Sequence, residues 1–289
     1  MEQLSLFDGP KLILGDYFRA IEHGRWEELP SIIRSVERLR LEIPGWESKV
    51  RFWKEELFTV SAIKFEKIPA IVDAWDELKP KLQSEDLSEE NQALEKFFCR
   101  ILIPKLKSND LDYLKPGLHP AYCYFKIKRY TECVGLIDRS VAEVKEDSYL
   151  RSMQAACYAQ TNQFGRATTA FVFALFFNPF VVEIEYIYHP EVRNLLTELI
   201  QNSPSEAAAR SHWPFEAWIR KIIEIPPNPD LAEQIRKQCM ENTQRQERDD
   251  AVQNQIMFNQ WLYLSEVIQR SNRPDEMSSF LTIQLPPHA

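Results

Sequence analysis

The tetrad Ala121-Tyr122-Cys123-Tyr124 returns 34 residues later as Ala155-Ala156-Cys157-Tyr158. The shift persists beyond the tetrad. Tyr130 answers Phe164, Cys133 answers Ala167, Ile137 answers Phe171, Ser140 answers Ala174, and Val141 answers Leu175. Self-similarity at a fixed period constrains the fold more than any composition does. A unit of this size cannot enclose a core alone, so each copy must lay its apolar face on a neighbour. Small residues at matching places let two helices come close, and aromatics fill the gaps between successive pairs.

Helical periodicity runs well beyond these segments. Tyr17, Phe18 and Ile21 share one face of a helix beginning near Asp16, cut off from the start of the chain by Gly9-Pro10. A turn at His23-Gly24-Arg25 leads into Trp26, Leu29, Ile32, Ile33, Val36 and Leu39 at three- and four-residue steps, and Pro44-Gly45 ends that stretch. Further helices are expected near Glu47–Phe58, Ala70–Lys79 and Glu89–Ile103. His212-Trp213-Pro214-Phe215 introduces another, carrying Trp218, Ile219, Ile222 and Ile223. Leu231–Asn242 follows, then the polar run Thr243–Asp250, then a long helix with Met257, Phe258, Trp261, Leu264 and Val267. The only β-like run is Phe280–Leu285. Seven glycines are few for a fold rich in tight turns, and 18 prolines sit mostly between the amphipathic stretches. The expected class is all-α.

The period, the small-x-x-Tyr signature, the following aromatic and the apolar-x-x-small close together resemble the tetratricopeptide repeat (TPR). Pro179 matches the proline that closes a unit in that family. The clearest units are 114–147 and 148–181, set in a TPR-like array over 11–203. An extended N-terminal tail, 1–10, precedes the array, and a helical C-terminal region, 204–289, follows it. Gly24-Arg25-Trp26 with Leu29 and Ile33 fits a degenerate unit, although Tyr17 stands where the family prefers a small residue. Tyr186–Ile200 begins like another unit but lacks the aromatic and small pair. The resemblance implies stacked antiparallel helix hairpins forming a superhelix, and a scaffold holding a protein or peptide partner in a concave face. The first helix of each unit would line that face. By helical spacing the candidates are Tyr122, Lys126 and Lys128 in one unit, with Arg151, Gln154 and Gln160 in the next. Their cations suit an acidic peptide or a C-terminal carboxylate. The competing reading makes them no more than an exposed face.

Chemistry is sparse. His23, His119, His189, His212 and His288 are scattered, and none is paired with a carboxylate at metal-binding spacing. Cys123, Cys133 and Cys157 occupy small-residue positions of the repeats, where cysteine behaves as a small hydrophobe. Gly135 and Gly165 stand singly, so no phosphate-cradling loop is expected. Paired carboxylates such as Glu27-Glu28, Glu89-Glu90 and Asp249-Asp250 read as exposed helix faces. The sequence therefore predicts no enzyme, no cofactor and no metal. A formal net charge of −8 argues against direct nucleic-acid binding. Five cysteines without a Cys-x-x-Cys pair suit reduced, cytoplasmic thiols. The apolar stretch Ala170–Val182 is too short to span a membrane and is interrupted by Asn178-Pro179, so no membrane partner is expected.

One motif remains. Gln3-Leu4-Ser5-Leu6-Phe7 resembles the pentapeptide by which bacterial polymerases and repair proteins dock onto the DNA sliding clamp, and every position matches the preferred form. The resemblance implies that Gln3 hydrogen-bonds the edge of the clamp's pocket and Leu4 fills a small site. Leu6 and Phe7 would enter the main apolar pocket, with Ser5 at a polar rim. Two functions are thus expected: an adaptor tethered to a clamp, or a peptide-binding scaffold in signalling, secretion or defence. In the second, Leu4, Leu6 and Phe7 pack on the protein's own first helix.

Overall fold

The structure, a computed structural model, describes residues 9–57, 60, 67–106, 113–143, 147–225 and 251–270. Among these residues the fold is all-α, with no strand and a single antiparallel bridge, Lys115–Leu118. The chain divides into two compact units, Met1–Arg129 and Tyr130–Ala289. The division falls inside the first of the two 34-residue segments.

Unit 1 contains α1 (Gly9–Glu22), α2 (Leu29–Leu39), α3 (Trp46–Phe52), α4 (Ile68–Leu78), α5 (Ser88–Leu102) and α6 (Pro120–Lys126). Gly9-Pro10 opens α1 rather than separating it from what precedes, so the helix starts well before Asp16. The physical reason is that a first-turn proline gives up an N–H that has no helical partner anyway. Pro30, Pro69 and Pro120 start α2, α4 and α6 in the same way. The turn after α1 depends on Gly24 (φ 66°), where a Cβ would come within 2.7 Å of Phe97. Beyond α3 the chain widens into a π-helical turn, Trp53–Leu57.

The core of unit 1 gathers Tyr17, Ile21, Trp75, Phe98 and Leu102. Trp75 stacks on Phe98 with centroids 5.7 Å apart, and Trp26 meets Phe97 edge-on at 4.9 Å. Each such buried side chain contributes about 1.5–3 kcal/mol. Buried charge lies beside this core. Lys49 Nζ donates to Glu90 Oε2 and to the Asp86 carbonyl, both at 2.9 Å, with both side chains out of solvent. Buried Cys99 of α5 and Cys123 of α6 belong to the same core, as expected of cysteine used as a small apolar residue.

Unit 2 contains α7 (Tyr130–Glu143), α8 (Ser148–Gln160), α9 (Phe164–Phe177), α10 (Pro190–Asn202), α11 (Glu206–Ile219) and α12 (Ala251–Arg270). Asp147 caps α8 by accepting from Leu150 N at 3.0 Å, and Thr161-Asn162-Gln163 turn the chain into α9. Asn162 takes the left-handed conformation there (φ 60°), which asparagine tolerates better than most residues. The connection is so short that α8 and α9 must lie antiparallel as a hairpin. Ala155, Cys157, Ala167, Ala170 and Ala174 are all buried in this pair.

From residue 170 onward α9 is apolar on nearly every side because it is enclosed there on nearly every side: Phe171, Phe173, Phe176 and Phe177 join Trp213 of α11 and Tyr263 and Leu264 of α12 in one core. The carbonyl that α9 leaves open at Phe177 accepts from buried Gln260 Nε2 at 3.2 Å, and Asn259 Nδ2 donates to Ser211 O at 2.8 Å. A further difference from the sequence reading concerns Pro214. It lies inside α11, which starts earlier, at Ser205, whose Oγ accepts from Ala208 N at 3.1 Å. The strong N-cap serine outranks the proline as a start signal. Among the described residues no helix is long and apolar enough to cross a membrane. Leu231–Asn242, Thr243–Asp250 and Phe280–Leu285 lie outside those residues.

Candidate functional site

Unit 2 contains a cleft of about 270 Å³ lined from three helices. α7 supplies Asp138. α8 supplies Arg151, Gln154 and Tyr158, and α9 supplies Arg166, Thr169, Ala170 and Phe173. The α8 residues are spaced i, i+3, i+7 and those of α9 i, i+3, i+4, i+7, so each set forms one stripe along its helix.

A polar relay crosses the cleft. Gln154 Nε2 donates to Asp138 Oδ1 at 2.6 Å, and Arg151 Nη1 donates to Gln154 Oε1 at 3.1 Å. Both ends of the amide are therefore fixed by their neighbours. Arg151 lies over the Phe173 ring, 5.6 Å from its centroid, and Arg166 lies over Tyr158 at 4.4 Å. Arg166 also donates to Gln163 Oε1 at 3.1 Å. Neither guanidinium pairs with a carboxylate among the described residues. Arg151 Nε is buried without a hydrogen-bond partner, as is the hydroxyl of Tyr263 from α12.

The electrostatics follow from this arrangement. Burial pushes the Arg151 guanidinium down from its ordinary range, with Asp138 and Tyr158 opposing. Burial pushes the Tyr158 phenol up, helped by Asp138 and opposed by Arg166 and Arg151. Tyr263 is raised by burial, against the pull of Arg151. Arginine keeps its charge at physiological pH, so the cleft carries two cations with spare donors on aromatic walls. Such a surface can hold an anion attached to an apolar body.

The six groove residues expected from the sequence divide between the units. Arg151 and Gln154 line the cleft, and Gln160 is exposed at the end of α8. Tyr122 and Lys126 belong to unit 1, where both turn to Glu95 of α5. The Tyr122 hydroxyl donates to its carboxylate, and Lys126 Nζ pairs with it at 2.9 Å. Lys126 also lies over the Tyr122 ring at 5.1 Å. Lys128 is exposed just past α6, with φ 64°. His119, one of the scattered histidines, is fully buried, and its Nδ1 accepts from Ala121 N at 3.1 Å at the start of α6.

Asp138, Tyr158, Arg166 and Phe173 were not singled out as site residues from the sequence. Their signal is the pair of arginine-led stripes, which becomes visible only once α8 and α9 are taken as facing neighbours. A second, wider cleft of about 430 Å³ in unit 1 is lined by Glu37, Trp46, Glu47, Val50, Arg51, Lys54 and Glu55. Its lining mixes three carboxylates, Glu37, Glu47 and Glu55, with two cations, Arg51 and Lys54, and so offers no cationic surface. Among the described residues no cluster of histidine, cysteine and carboxylate side chains could hold a metal ion. Gln3, Leu4, Ser5, Leu6 and Phe7 lie outside the described residues. No family model, no curated protein and no solved structure matches the chain.

Proposed function

We propose that the chain is a non-enzymatic, TPR-like scaffold, and that the α7–α9 cleft of unit 2 receives an acidic group of a protein or peptide partner. The observation that carries this reading is the pair of guanidiniums, Arg151 and Arg166, held on aromatic walls with no ion pair to a carboxylate among the described residues. A bidentate guanidinium contact with a carboxylate is stronger than a neutral hydrogen bond and imposes geometry. The α8–α9 hairpin, with small residues buried along it and an aromatic-rich core behind it, supports the TPR-like part of the reading. The test is an array of short peptides, acidic and neutral, probed with the full chain. Acidic peptides should bind, and Arg151→Gln with Arg166→Gln should abolish the signal without lowering Tm. Equal binding by the double variant would remove the cleft from the function.

The complete match of Gln3–Phe7 to the clamp-docking pattern favours a second element, a tether to the bacterial sliding clamp. The motif stands one residue ahead of the helix that opens at Gly9. Leu6 and Phe7 would contribute about 1.5–3 kcal/mol each on entering an apolar pocket. Ordering the segment offsets much of that, leaving an affinity no tighter than micromolar, ~8 kcal/mol. A peptide of residues 1–10 should bind a bacterial clamp, and Leu6→Ala with Phe7→Ala should abolish binding by peptide and full chain alike. Undiminished binding by the doubly substituted chain would remove the motif as the tether, and absence of clamp binding by peptide and wild-type chain would leave the scaffold in the signalling, secretion or defence role.

A further inference from the structure

We infer that Asp138 tunes the unit 2 cleft away from doubly charged phosphates and toward singly charged carboxylates, an inference that rests on reading the cleft as an anion site. Two arginines alone would favour the higher charge, since each adds attraction in proportion to the ligand's charge. The cleft is not made of arginines alone. Asp138 lines the cleft from α7, and its charge opposes those of the arginines. Its Oδ1 is tied to Gln154 Nε2 at 2.6 Å, which fixes the direction of the exposed carboxylate.

Arg151, Arg166 and Asp138 leave the cleft with a net charge of +1. A carboxylate balances that charge. A phosphate monoester, with a charge of about −1.5 to −2 at neutral pH, exceeds it and is repelled by Asp138 up to twice as strongly as a carboxylate. The relay sharpens the choice. Because Asp138 takes the amide N–H of Gln154, the amide oxygen is turned to Arg151 Nη1 at 3.1 Å. That contact occupies one of the donors a phosphate's third oxygen would need, and leaves the paired donors that suit a two-oxygen acid. The apolar walls, Phe173 and Tyr158, and a volume of about 270 Å³ suit a ring-sized body behind the acid.

The test uses two probes with the same ring, phenylacetate and phenyl phosphate, titrated calorimetrically into the full chain at pH 7.5. The affinity ratio of the two probes in the wild type is the reference. Asp138→Asn keeps an oxygen for Gln154 but removes the charge, and the exposed position of residue 138 makes the variant safe for folding. Removing one charge ~6 Å from the ligand in a water-like medium should strengthen phenylacetate about threefold. The effect on a dianion is the square of that, about tenfold, so the ratio should shift about threefold toward phenyl phosphate. Arg166→Gln should weaken both probes. An Asp138→Asn variant that strengthens both probes by the same factor, or neither, overturns the inference and leaves the anion site standing. Absence of binding by either probe overturns both.

Discussion

Unit 1 commits cations such as Lys49, Arg100 and Lys126 to carboxylates, whereas unit 2 lays Arg151 and Arg166 on aromatic rings at a cleft. In unit 1, Lys49 meets Glu90 at 2.9 Å, Arg100 meets Glu22 at 2.6 Å, and Lys126 meets Glu95 at 2.9 Å. In unit 2, buried polarity is met by amides on open carbonyls, the ion pairs of Arg220 with Glu198 and Glu216 are exposed, and Arg151 and Arg166 face a cleft. A cation committed to a carboxylate is structural. A cation held by a ring keeps its charge and most of its donors for something else. The same residue types therefore do different work in the two units.

The largest test of that division is Lys49→Met. It leaves Glu90 ionisable inside the core of unit 1 and should cost about 3–5 kcal/mol in urea unfolding. Lys49→Met combined with Glu90→Leu should recover most of the loss, because a buried pair replaced whole by apolar groups is often neutral or stabilising. A double variant as unstable as the single one would break the account of unit 1 as pair-stabilised.

The pH profile of unit 1 sharpens the same point. Burial raises the Glu90 carboxyl above its ordinary range, against the hydrogen bond and charge of Lys49. Glu90 thus holds its proton more tightly folded than unfolded, and its contribution to stability falls as pH rises from the ordinary carboxylate range through its raised pKa. Glu22 has the opposite sign. Burial pushes it up, but the hydrogen bonds from Arg100 and Lys96 outweigh that and hold it low. Its contribution is present above the ordinary carboxylate range and is lost as pH falls through the depressed value. Glu90→Gln should remove the first slope and Glu22→Gln the second, read from urea midpoints across the acid range.

In unit 2 the comparable test is steric. Cys157 is fully buried in α8, and Cys157→Leu should cost about 1–3 kcal/mol by overpacking. Cys123→Leu should do the same in unit 1, where Cys123 is equally buried. Tolerance at either site would show that the small residue shared by the two 34-residue segments is not needed for packing.

These residues also mark how far the sequence could be read. The helical class and the α8–α9 hairpin follow from periodicity, because apolar spacing at three and four residues is a local property. The start of α1 was misplaced because Gly9-Pro10 is as compatible with a first turn as with a break. The early start of α11 was hidden by Pro214, whose presence within the helix depends on tertiary packing around Trp213. Of the site, Arg151 and Gln154 were legible as one face of α8. Asp138 and Arg166 were not, since they come from different helices and only folding brings them together. Tyr122 and Lys126 shared the spacing of a groove, yet Glu95, 27 residues earlier than Tyr122, claims them. Spacing finds a face; it does not say whether a partner already occupies it.

The smallest effects make the sharpest comparison between the units. Lys126→Ala removes half of a partly buried pair with Glu95 and a ring contact, and should cost about 1 kcal/mol of stability with no change in anion binding. Arg166→Gln removes an exposed side chain whose contacts are Tyr158 and Gln163, and should change stability by no more than ~0.5 kcal/mol. Its effect should appear instead in the titration of phenylacetate, which Lys126→Ala leaves untouched. The two variants together, measured by urea midpoint and by calorimetry, form a crossed design. If Arg166→Gln destabilises as Lys126→Ala does and leaves binding unchanged, the arginines of unit 2 are structural cations like those of unit 1, and the difference between the units disappears.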